Sequence, residues 1–256
     1  MVKVSAISQL DLYGLTRRNM NCILLPKNAT SITDEEQVTH IKKVLKSSVG
    51  DKLTIGEMGG KLGKATIVMI HQNEIVLSDI TLNKEPPKKL DLTVVLALPR
   101  PKVLRRLIMD MTSLGVNRLI IVNSYKTEKS YWQSPLLNRI DEFVFEGLQQ
   151  AIDTVPPVIE LKKRFKPFVE DEFPALVGNA VIAHPYASHS WKSYLDELKC
   201  HSKAMPNVLC IGAEGGWIDY EVELLCQHGC QAVSLGERIL RTETVVNVLL
   251  GHWLSN

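Results

Sequence analysis

Two glycine-containing loops near the C-terminal end of the chain carry the residues best suited to chemistry. Residues 212–217 read GAEGGW and follow the apolar run 208–211, and residues 236–244 read GERILRTET and follow the apolar run 232–235. Glycine tolerates positive φ angles and has no Cβ, so such loops can present bare N–H and C=O groups to a flat, polar small molecule. Strands that end in glycine at one edge of a parallel sheet are where α/β proteins bind ligands. Ordinary tight turns after strands are the alternative interpretation.

The elements that must position these loops change character along the chain. Residues 52–55, 64–70 and 74–82 are rich in β-branched residues and alternate in polarity, which predicts three strands, the first two joined by a hairpin loop. Thr33 and Glu36 are placed to cap a helix as its N-cap and capping-box residues. Several short strands and one helix in the first part of the chain predict a small β-barrel domain.

After the proline-containing linker 85–89, strands and helices alternate. This alternation predicts a parallel sheet with helices on both of its faces. The predicted strands are 92–98, 118–122, 158–161, 177–184, 208–211 and 232–235, and the predicted helices are 103–114, 135–152, 168–176, 193–200 and 245–254.

Composition and charge limit the classes of function. The 256 residues are 45% hydrophobic and 23% charged, as in an ordinary globular protein, and the net charge is only +2, so any nucleic-acid binding must come from local patches. No apolar stretch is long enough to span a membrane, and residues 1–9 lack the apolar run of a signal peptide. The five cysteines contain no Cys-x-x-Cys pair, so we expect free, mostly buried thiols in a reducing cytoplasm and no metal site.

The two C-terminal motifs, IGAEGGW at 211–217 and LGERILRTET at 235–244, are long and specific. They resemble those of the bacterial ribosomal RNA small-subunit methyltransferase E family, which methylates N3 of a uridine in 16S rRNA. That family belongs to the SPOUT superfamily of knotted, S-adenosylmethionine-dependent methyltransferases. HIKKVLK at 40–46 resembles part of the family's PUA-like RNA-binding barrel, and SLGV at 113–116 resembles the end of the first helix of its methyltransferase domain. The resemblance covers nearly the whole chain.

The chain departs from the family pattern in three places. Ala213 stands where the family usually has proline, and Glu237 where it often has another residue. After the long helix the family has Glu-Gln-Ser with an arginine shortly after, whereas residues 149–153 read QQAID here. If the missing serine and arginine hold RNA or the dimer in the family, we expect this chain to bind a different RNA or to bind it more weakly.

The resemblance implies an α/β fold with two domains. A small PUA-like, RNA-binding β-barrel would occupy residues 1–85, and a parallel-sheet SPOUT methyltransferase domain with a C-terminal trefoil knot would occupy residues 86–256. The protein would be a cytoplasmic homodimer acting on 16S rRNA or the small ribosomal subunit, without a metal or a membrane. S-adenosylmethionine would lie bent between three strand ends, with its adenine read by backbone groups. The residues implied to bind it are Ala183, His184, Gly212, Glu214, Gly215, Gly216, Leu235, Gly236, Ile239, Leu240, Arg241 and Thr242.

The reaction implied by the resemblance is methyl transfer to a uracil nitrogen, which is a poor nucleophile until its proton leaves. The enzyme must align the reacting atoms and stabilise the negative charge that builds on the uracil oxygens. Arg241 is the first candidate for this stabilisation, and Arg238 could share its face or bind a phosphate. The nearest candidate proton acceptors are Glu214 and Glu243. The predicted catalytic residues are therefore Arg241, Arg238 and Glu214. Salt bridges of the arginines with Glu237 or Glu243, and helix capping by Glu214 and Glu243, are the alternatives.

Cations and aromatic side chains outside the glycine loops are the predicted RNA contacts. Neighbouring cations and aromatic rings suit a flipped or single-stranded base, and a solvated helix face is the alternative for the lysines. His184 and His189 are expected to have structural roles because no nucleophilic partner is visible. The residues predicted to bind RNA are Arg17, Arg18, Lys42, Lys43, Lys46, Arg105, Lys126 and Trp132, with Arg100, Lys102, Arg106, Lys129 and Tyr131 as further candidates.

Two other functions fit the same sequence. One is a non-catalytic RNA-binding or ribosome-assembly protein that keeps the fold, for which the altered stretch 149–153 is the only hint. The other is a methyltransferase that acts on a different RNA or on a protein. Saturable binding of S-adenosylmethionine that is lost in Gly216→Val separates the enzyme from the non-catalytic protein.

Overall fold

The computed structural model describes residues 20–254, which contain two β-sheets. The elements of the first are β1 (Ile23–Leu25), β2 (Ser31–Ile32), α1 (Glu35–Thr39), a π-helical turn (His40–Leu45), β3 (Lys52–Glu57), β4 (Leu62–Ile70) and β5 (Ile75–Lys84). The strand order is β1-β3-β4-β5-β2, with β1 parallel to β3 and the other pairs antiparallel. Inward-facing isoleucines fill its core, among them Ile23, Ile55, Ile67 and Ile75, together with Ile41 of the π-helical turn.

The cap of α1 differs from the prediction. Asp34, not Thr33, is the N-cap residue, and its Oδ1 atom accepts the backbone N–H of Gln37 at 2.9 Å. An aspartate at this position satisfies one of the N–H groups that have no partner within the helix. The capping position three residues into the helix therefore belongs to Gln37 and not to Glu36.

The second sheet has six strands, all parallel, within the described residues. Its strands are β6 (Leu90–Ala97), β7 (Val116–Val122), β8 (Val158–Lys162), β9 (Ala180–Ala183), β10 (Val208–Ile211) and β11 (Cys230–Val233), and its helices are α2 (Pro101–Ser113), α3 (Ile140–Ala151), α4 (Phe165–Pro167), α5 (Trp191–Cys200), α6 (Asp219–Gln227) and α7 (Thr242–Leu254). The strand order is β11-β9-β10-β6-β7-β8. The predicted parallel sheet is confirmed.

Both faces of this sheet are covered. Val94 and Leu96 of β6 belong to an apolar cluster with residues of α2, α3, α5 and α7. Val95 and Ala97, which point the opposite way, belong to a second cluster that includes residues of α4 and α6. A strand that is buried on both faces has to be apolar at successive positions, as the run 94–98 is.

Several predicted element bounds are shifted. The predicted helix 135–152 begins as a 3₁₀ turn, Pro135–Arg139, before α3, and residues 168–176 form short π and 3₁₀ turns. The strand predicted over 232–235 ends at Val233, so Leu235 lies in the following loop. Helix α7 begins at Thr242, earlier than the predicted start at 245.

Two features of the described residues bear on the expected class of protein. None of the helices within residues 20–254 has the length and apolar character needed to cross a membrane. All five cysteines lie in this part of the chain and are free; Cys22, Cys210 and Cys230 are buried, and Cys200 and Cys226 are exposed.

The stretch 149–153, which departs from the family pattern, connects the first sheet to the second. The backbone carbonyl of Gln149 accepts the N–H groups of Asn21 and Cys22, both at 3.1 Å. The side-chain oxygen of Gln149 accepts a hydrogen bond from the amide of Gln37 at 2.9 Å. The altered stretch therefore takes part in a structural contact between the two sheets, which we call the junction.

A buried ion pair next to this junction gives a stability prediction. Lys89 binds Asp153 at 2.7 Å, and their side chains are only 12% and 3% exposed. Lys89→Met should lower the free energy of unfolding by about 3 kcal/mol, because it leaves a buried carboxylate without its cation. Removing one partner of a buried ion pair typically costs about 3–5 kcal/mol. We expect the low end of this range because Asp153 also accepts the N–H groups of Thr154 and Val155. Urea unfolding monitored by circular dichroism measures it.

Lys88→Met is the matched control, since Lys88 is the adjacent lysine and is exposed. It should change the free energy of unfolding by no more than about 0.5 kcal/mol. Equal losses in the two variants would mean that the ion pair with Asp153 contributes nothing specific.

Candidate active site

The carboxyl ends of three neighbouring strands meet at one cavity. Strand β9 lies between β10 and β11, and Ala183 at its end pairs with Ile211 on one side and with Val233 on the other. These three residues line a cavity of about 230 Å³ together with the loops that follow the strands. The two glycine motifs, which are separated in the sequence, therefore form one site. The predicted cofactor residues that line it are Ala183, His184, Gly212, Glu214, Gly215, Gly216, Leu235, Gly236, Ile239, Leu240 and Thr242.

Two glycines leave bare backbone at the wall of the cavity. Gly216 and Gly236 have φ angles of +67° and +105°, a region that side chains with a Cβ rarely adopt. A Cβ added to either would meet no atom within 4 Å, so it would project into open space. Gly212 is different, because its Cβ would lie only 3.0 Å from the Cα of Gly216. The cavity thus has room for a ligand beside Gly216 and Gly236, while Gly212 lets the loop fold tightly on itself.

Side chains from two other elements hold the first glycine loop in place. The ammonium group of Lys126, in the loop after β7, donates to the carbonyl of Gly215 at 2.7 Å. The hydroxyl of Thr242, at the start of α7, donates to the carbonyl of Gly212 at 3.3 Å. Lys126 was predicted to bind RNA, but in the structure it lines the cavity. This contact could not be predicted because Lys126 is far from the glycine loop in the sequence.

The two candidate proton acceptors both have partners. Glu214 accepts the backbone N–H of Arg100, at 3.1 Å to one carboxylate oxygen and 3.4 Å to the other. Arg100 is the N-cap residue of α2, so Glu214 holds the start of that helix, which is the alternative that the sequence left open. Glu243 pairs with Arg106 at 3.3 Å and not with Arg238 or Arg241.

The two candidate arginines occupy different positions. Arg238 is exposed and lines the cavity, so it lies where the cavity meets solvent. Arg241 is also exposed, but it does not line the cavity, although Leu240 and Thr242 on either side of it do. Neither arginine forms an ion pair with any residue between 20 and 254. Of the two, Arg238 is therefore the cation that a substrate at the mouth would meet within one chain.

His184 contributes a neutral wall to the cavity. Burial lowers the pKa of its imidazole, the carboxylate of Asp219 raises it, and the ammonium group of Lys126 lowers it further. Since the net direction is downward from an ordinary value of 6.5, the ring carries no charge at neutral pH. Pro185 and Trp217, which belong to the predicted strand end and glycine motif, also line the cavity. Tyr186 and Val245 line it too and were not singled out from the sequence, because such residues near a loop do not signal a ligand.

Four of the eight residues predicted to bind RNA, counting Lys126, have other partners in the structure. Lys42 donates to the carbonyls of His71 and Gln72, both at 3.1 Å, and Arg105 pairs with the buried Glu146 at 3.1 Å.

The indole N–H of Trp132 donates to Asn123 at 2.7 Å, and the ring is partly buried. Lys43 and Lys46 are exposed. Arg17 and Arg18 lie outside the described residues. Between residues 20 and 254, no three side chains of the metal-binding types cluster.

Comparison with known proteins places this geometry in a family. Residues 86–254 match the family model of the RNA methyltransferase domain, and residues 32–80 match that of the RNA methyltransferase PUA domain. Ribosomal RNA small subunit methyltransferase E of Treponema pallidum is 31% identical over 226 residues, which cover 87% of this chain and 84% of the relative. Ribosomal RNA small subunit methyltransferase E 1 of Borreliella burgdorferi is 27% identical over 88% of this chain and 93% of its own.

Solved structures share the fold across both sheets. A methyltransferase of Legionella pneumophila, crystallised with its bound cofactor SAM, aligns with a TM-score of 0.72 at 21% identity, covering 93% of this chain and 98% of its own. Ribosomal RNA small subunit methyltransferase E of Neisseria gonorrhoeae, bound to S-adenosylmethionine, aligns with a TM-score of 0.70 at 22% identity, with the same coverage of both chains. At these identities the likeness shows the fold.

Proposed function

The chain belongs to the RNA methyltransferase family, and from this membership we propose that it transfers a methyl group from S-adenosylmethionine to N3 of a uridine in 16S ribosomal RNA. The predicted family and the predicted fold class, a SPOUT-type parallel-sheet domain after a PUA-like domain, are confirmed. The observation that carries the proposed activity is the glycine-lined cavity at the ends of β9, β10 and β11, which lies inside the segment that matches the methyltransferase domain.

The residues at the cavity fit the cofactor. The open space beside Gly216 and Gly236 lets a flat ring approach the backbone, and the apolar side chains of Leu235, Ile239 and Leu240 line the same wall. We propose that backbone groups of 235–240 bind the adenine edge and that the loop 212–216 binds the remainder. When bound, S-adenosylmethionine supplies a methyl group on a positively charged sulfur. The neutral imidazole of His184 suits a cationic ligand better than a charged one would.

The protein's own part in the reaction is to position the uracil and to stabilise charge. As the N3 proton passes to solvent water, negative charge spreads onto the two uracil oxygens, and a cation fixed at that place lowers the barrier. Arg238 lies at the mouth of the cavity and is the first choice for this role, with Arg241 as a second cation on the same loop. Because Glu214 already accepts the N–H of Arg100, we assign it the task of fixing the glycine loop against α2 rather than that of the base.

A second copy of the chain would complete the site. The cavity of about 230 Å³ is smaller than the roughly 300–1,000 Å³ usual for small-molecule sites, and its open side carries the exposed side chains of Ile239 and Tyr186. Exposed apolar groups at a binding site favour coverage by a partner surface. The homodimer, the trefoil knot, the division into domains at 85/86 and the cytoplasmic location are parts of the proposal.

The alternative of a non-catalytic RNA-binding protein has lost its one support. Its only hint was the altered stretch 149–153, and that stretch contacts the first unit of the fold through Gln149 and Gln150. None of these residues lines the cavity, so the change in sequence leaves the cofactor site intact.

Mass mapping of ribosomal RNA tests the proposed function. Small-subunit RNA from cells that lack this protein should contain one uridine without the methyl group that it carries in wild-type cells, and purified protein with S-adenosylmethionine should restore it at N3. If the modification pattern of 16S rRNA is the same in both strains, the substrate is a different molecule. A restored methyl group on another atom would retain the enzyme and correct the target.

A further inference from the structure

The outward face of the first sheet is polar and basic along three adjacent strands. On β3, Leu53 and Ile55 are buried in the core, so Lys52 and Thr54 point outward. Lys52 pairs across the strands with Thr66, and Thr54 pairs with Lys64. Lys64 in turn pairs with Thr81 on β5. Because side chains alternate along a strand, these partners share one face of the sheet.

This face is the floor of a groove of about 660 Å³. We call it the lysine groove; it is lined by Lys52, Lys64 and Lys84, by threonine hydroxyls and by Ile152, which follows α3 on the other side of the junction. Among the residues from 20 to 254 that line it, Asp79 is the one acidic residue. None of the three lysines has an ion-pair partner between residues 20 and 254, so their ammonium groups are available to a ligand.

The groove is continuous with the contact between the two sheets. Gly56, further along the outward face of β3, is buried, and a Cβ there would lie 2.6 Å from Thr154 and 3.2 Å from Leu24. One end of this face is thus closed by the junction, and the other end is open. A ligand in the open part would lie directly against the junction and would be held at a fixed distance from the methyltransferase domain.

We propose that the lysine groove binds the phosphate backbone of the RNA substrate. The inference rests on the proposed function and assigns the surface by which the barrel holds that RNA. Ammonium and hydroxyl groups are the donors that phosphate and ribose oxygens accept from, whereas the described residues that line the groove include no aromatic ring on which a base could stack. Recognition here therefore follows the shape and charge of the backbone, and the base to be methylated is selected elsewhere.

The structure favours these lysines over those predicted from the sequence. Lys42, on the π-helical turn, uses its ammonium group to bind two backbone carbonyls. Lys43 and Lys46 are exposed on the same turn, beside the exposed apolar side chains of Val44 and Leu45. The three groove lysines instead converge on one concave surface, and concentrated positive charge raises the affinity for a polyanion more than isolated charges do.

The test compares two triple variants of the full-length protein. In Lys52→Gln/Lys64→Gln/Lys84→Gln, the dissociation constant for naked 16S rRNA should rise at least about tenfold at physiological salt. The plot of the logarithm of the association constant against the logarithm of the salt concentration should become less steep, its negative slope decreasing in magnitude by about 2. The control, Lys192→Gln/Lys199→Gln/Lys203→Gln, removes the same charge from exposed positions in and after α5 and should bind like the wild type. Affinity for S-adenosylmethionine should be unchanged in both variants.

The possible outcomes distinguish a failure of the groove assignment from a failure of the proposed function. Unchanged RNA affinity in the groove variant overturns the inference, and methyl transfer by the wild-type protein would still support the proposed function. Groove-dependent RNA binding without any methyl transfer would keep the groove and reject the function. If the groove variant binds naked RNA normally but fails to bind intact small subunits, the groove faces an acidic protein and the RNA assignment is wrong.

Discussion

Gly216→Val is expected to weaken the binding of S-adenosylmethionine by about a hundredfold or more, or about 2.8 kcal/mol. The added side chain would project from a backbone with φ of +67° into the open space that a ligand would occupy. It therefore removes both the room for the ligand and the bare backbone that would contact it. Titration calorimetry on the purified variant measures the loss, and circular dichroism establishes that the variant is folded.

Gly59→Val separates the loss of space from the strain of the backbone. Gly59 has a φ of +71° and, like Gly216, no atom within 4 Å of an added Cβ, but it lies in the turn between β3 and β4. The two substitutions impose similar strain, about 1–2 kcal/mol for a left-handed residue with a Cβ. Gly59→Val should leave cofactor affinity unchanged. Normal cofactor binding by Gly216→Val would remove the glycine loop from the site.

Arg238→Gln is expected to lower kcat for methyl transfer about 100- to 1,000-fold, the usual effect of removing one group that stabilises developing negative charge. Arg238 lines the cavity and is exposed, and glutamine shortens the side chain only moderately while removing its charge. Because the cofactor would contact the backbone of this loop and not the guanidinium, the affinity for S-adenosylmethionine should change little. Single-turnover transfer of labelled methyl groups to 16S rRNA measures the rate.

Arg241→Gln is the companion variant. Arg241 is exposed and lies outside the lining of the cavity, so we expect a smaller loss of kcat than for Arg238→Gln. A larger loss in Arg241→Gln would instead support the sequence-based choice of Arg241, and would place its side chain in a site formed with a second copy of the chain. Wild-type rates in both variants would mean that neither arginine of this loop stabilises the negative charge on the uracil oxygens.

The elements that form the cavity could be predicted because local rules determine them. A buried parallel strand is an uninterrupted apolar run, and a tight turn at its end needs glycine, so 208–216 and the loop after β11 were recognisable. The bounds were less accurate. Strand β11 ends at Val233, although the apolar Leu235 was predicted to belong to it. Leu235 lies in a loop but packs against the core, so in the sequence it cannot be told from a strand residue.

The contacts between distant segments could not be predicted. The bond from Lys126 to Gly215 spans 89 positions, and nothing in either segment marks it. The same holds for Glu214, whose partner is a backbone N–H at the start of α2, and for the groove lysines, which lie on three strands and share a face only because of the register. An exposed lysine in a single sequence looks the same whether it faces a groove or open solvent.

A crystal structure of the protein with S-adenosylmethionine tests the central claim most directly. We predict that the ligand occupies the cavity between Gly216 and Gly236, with its adenine edge against the backbone of 235–240 and its sulfur facing the mouth where Arg238 lies. Density for the ligand at another place, or a cavity that stays empty at saturating S-adenosylmethionine, would contradict the account.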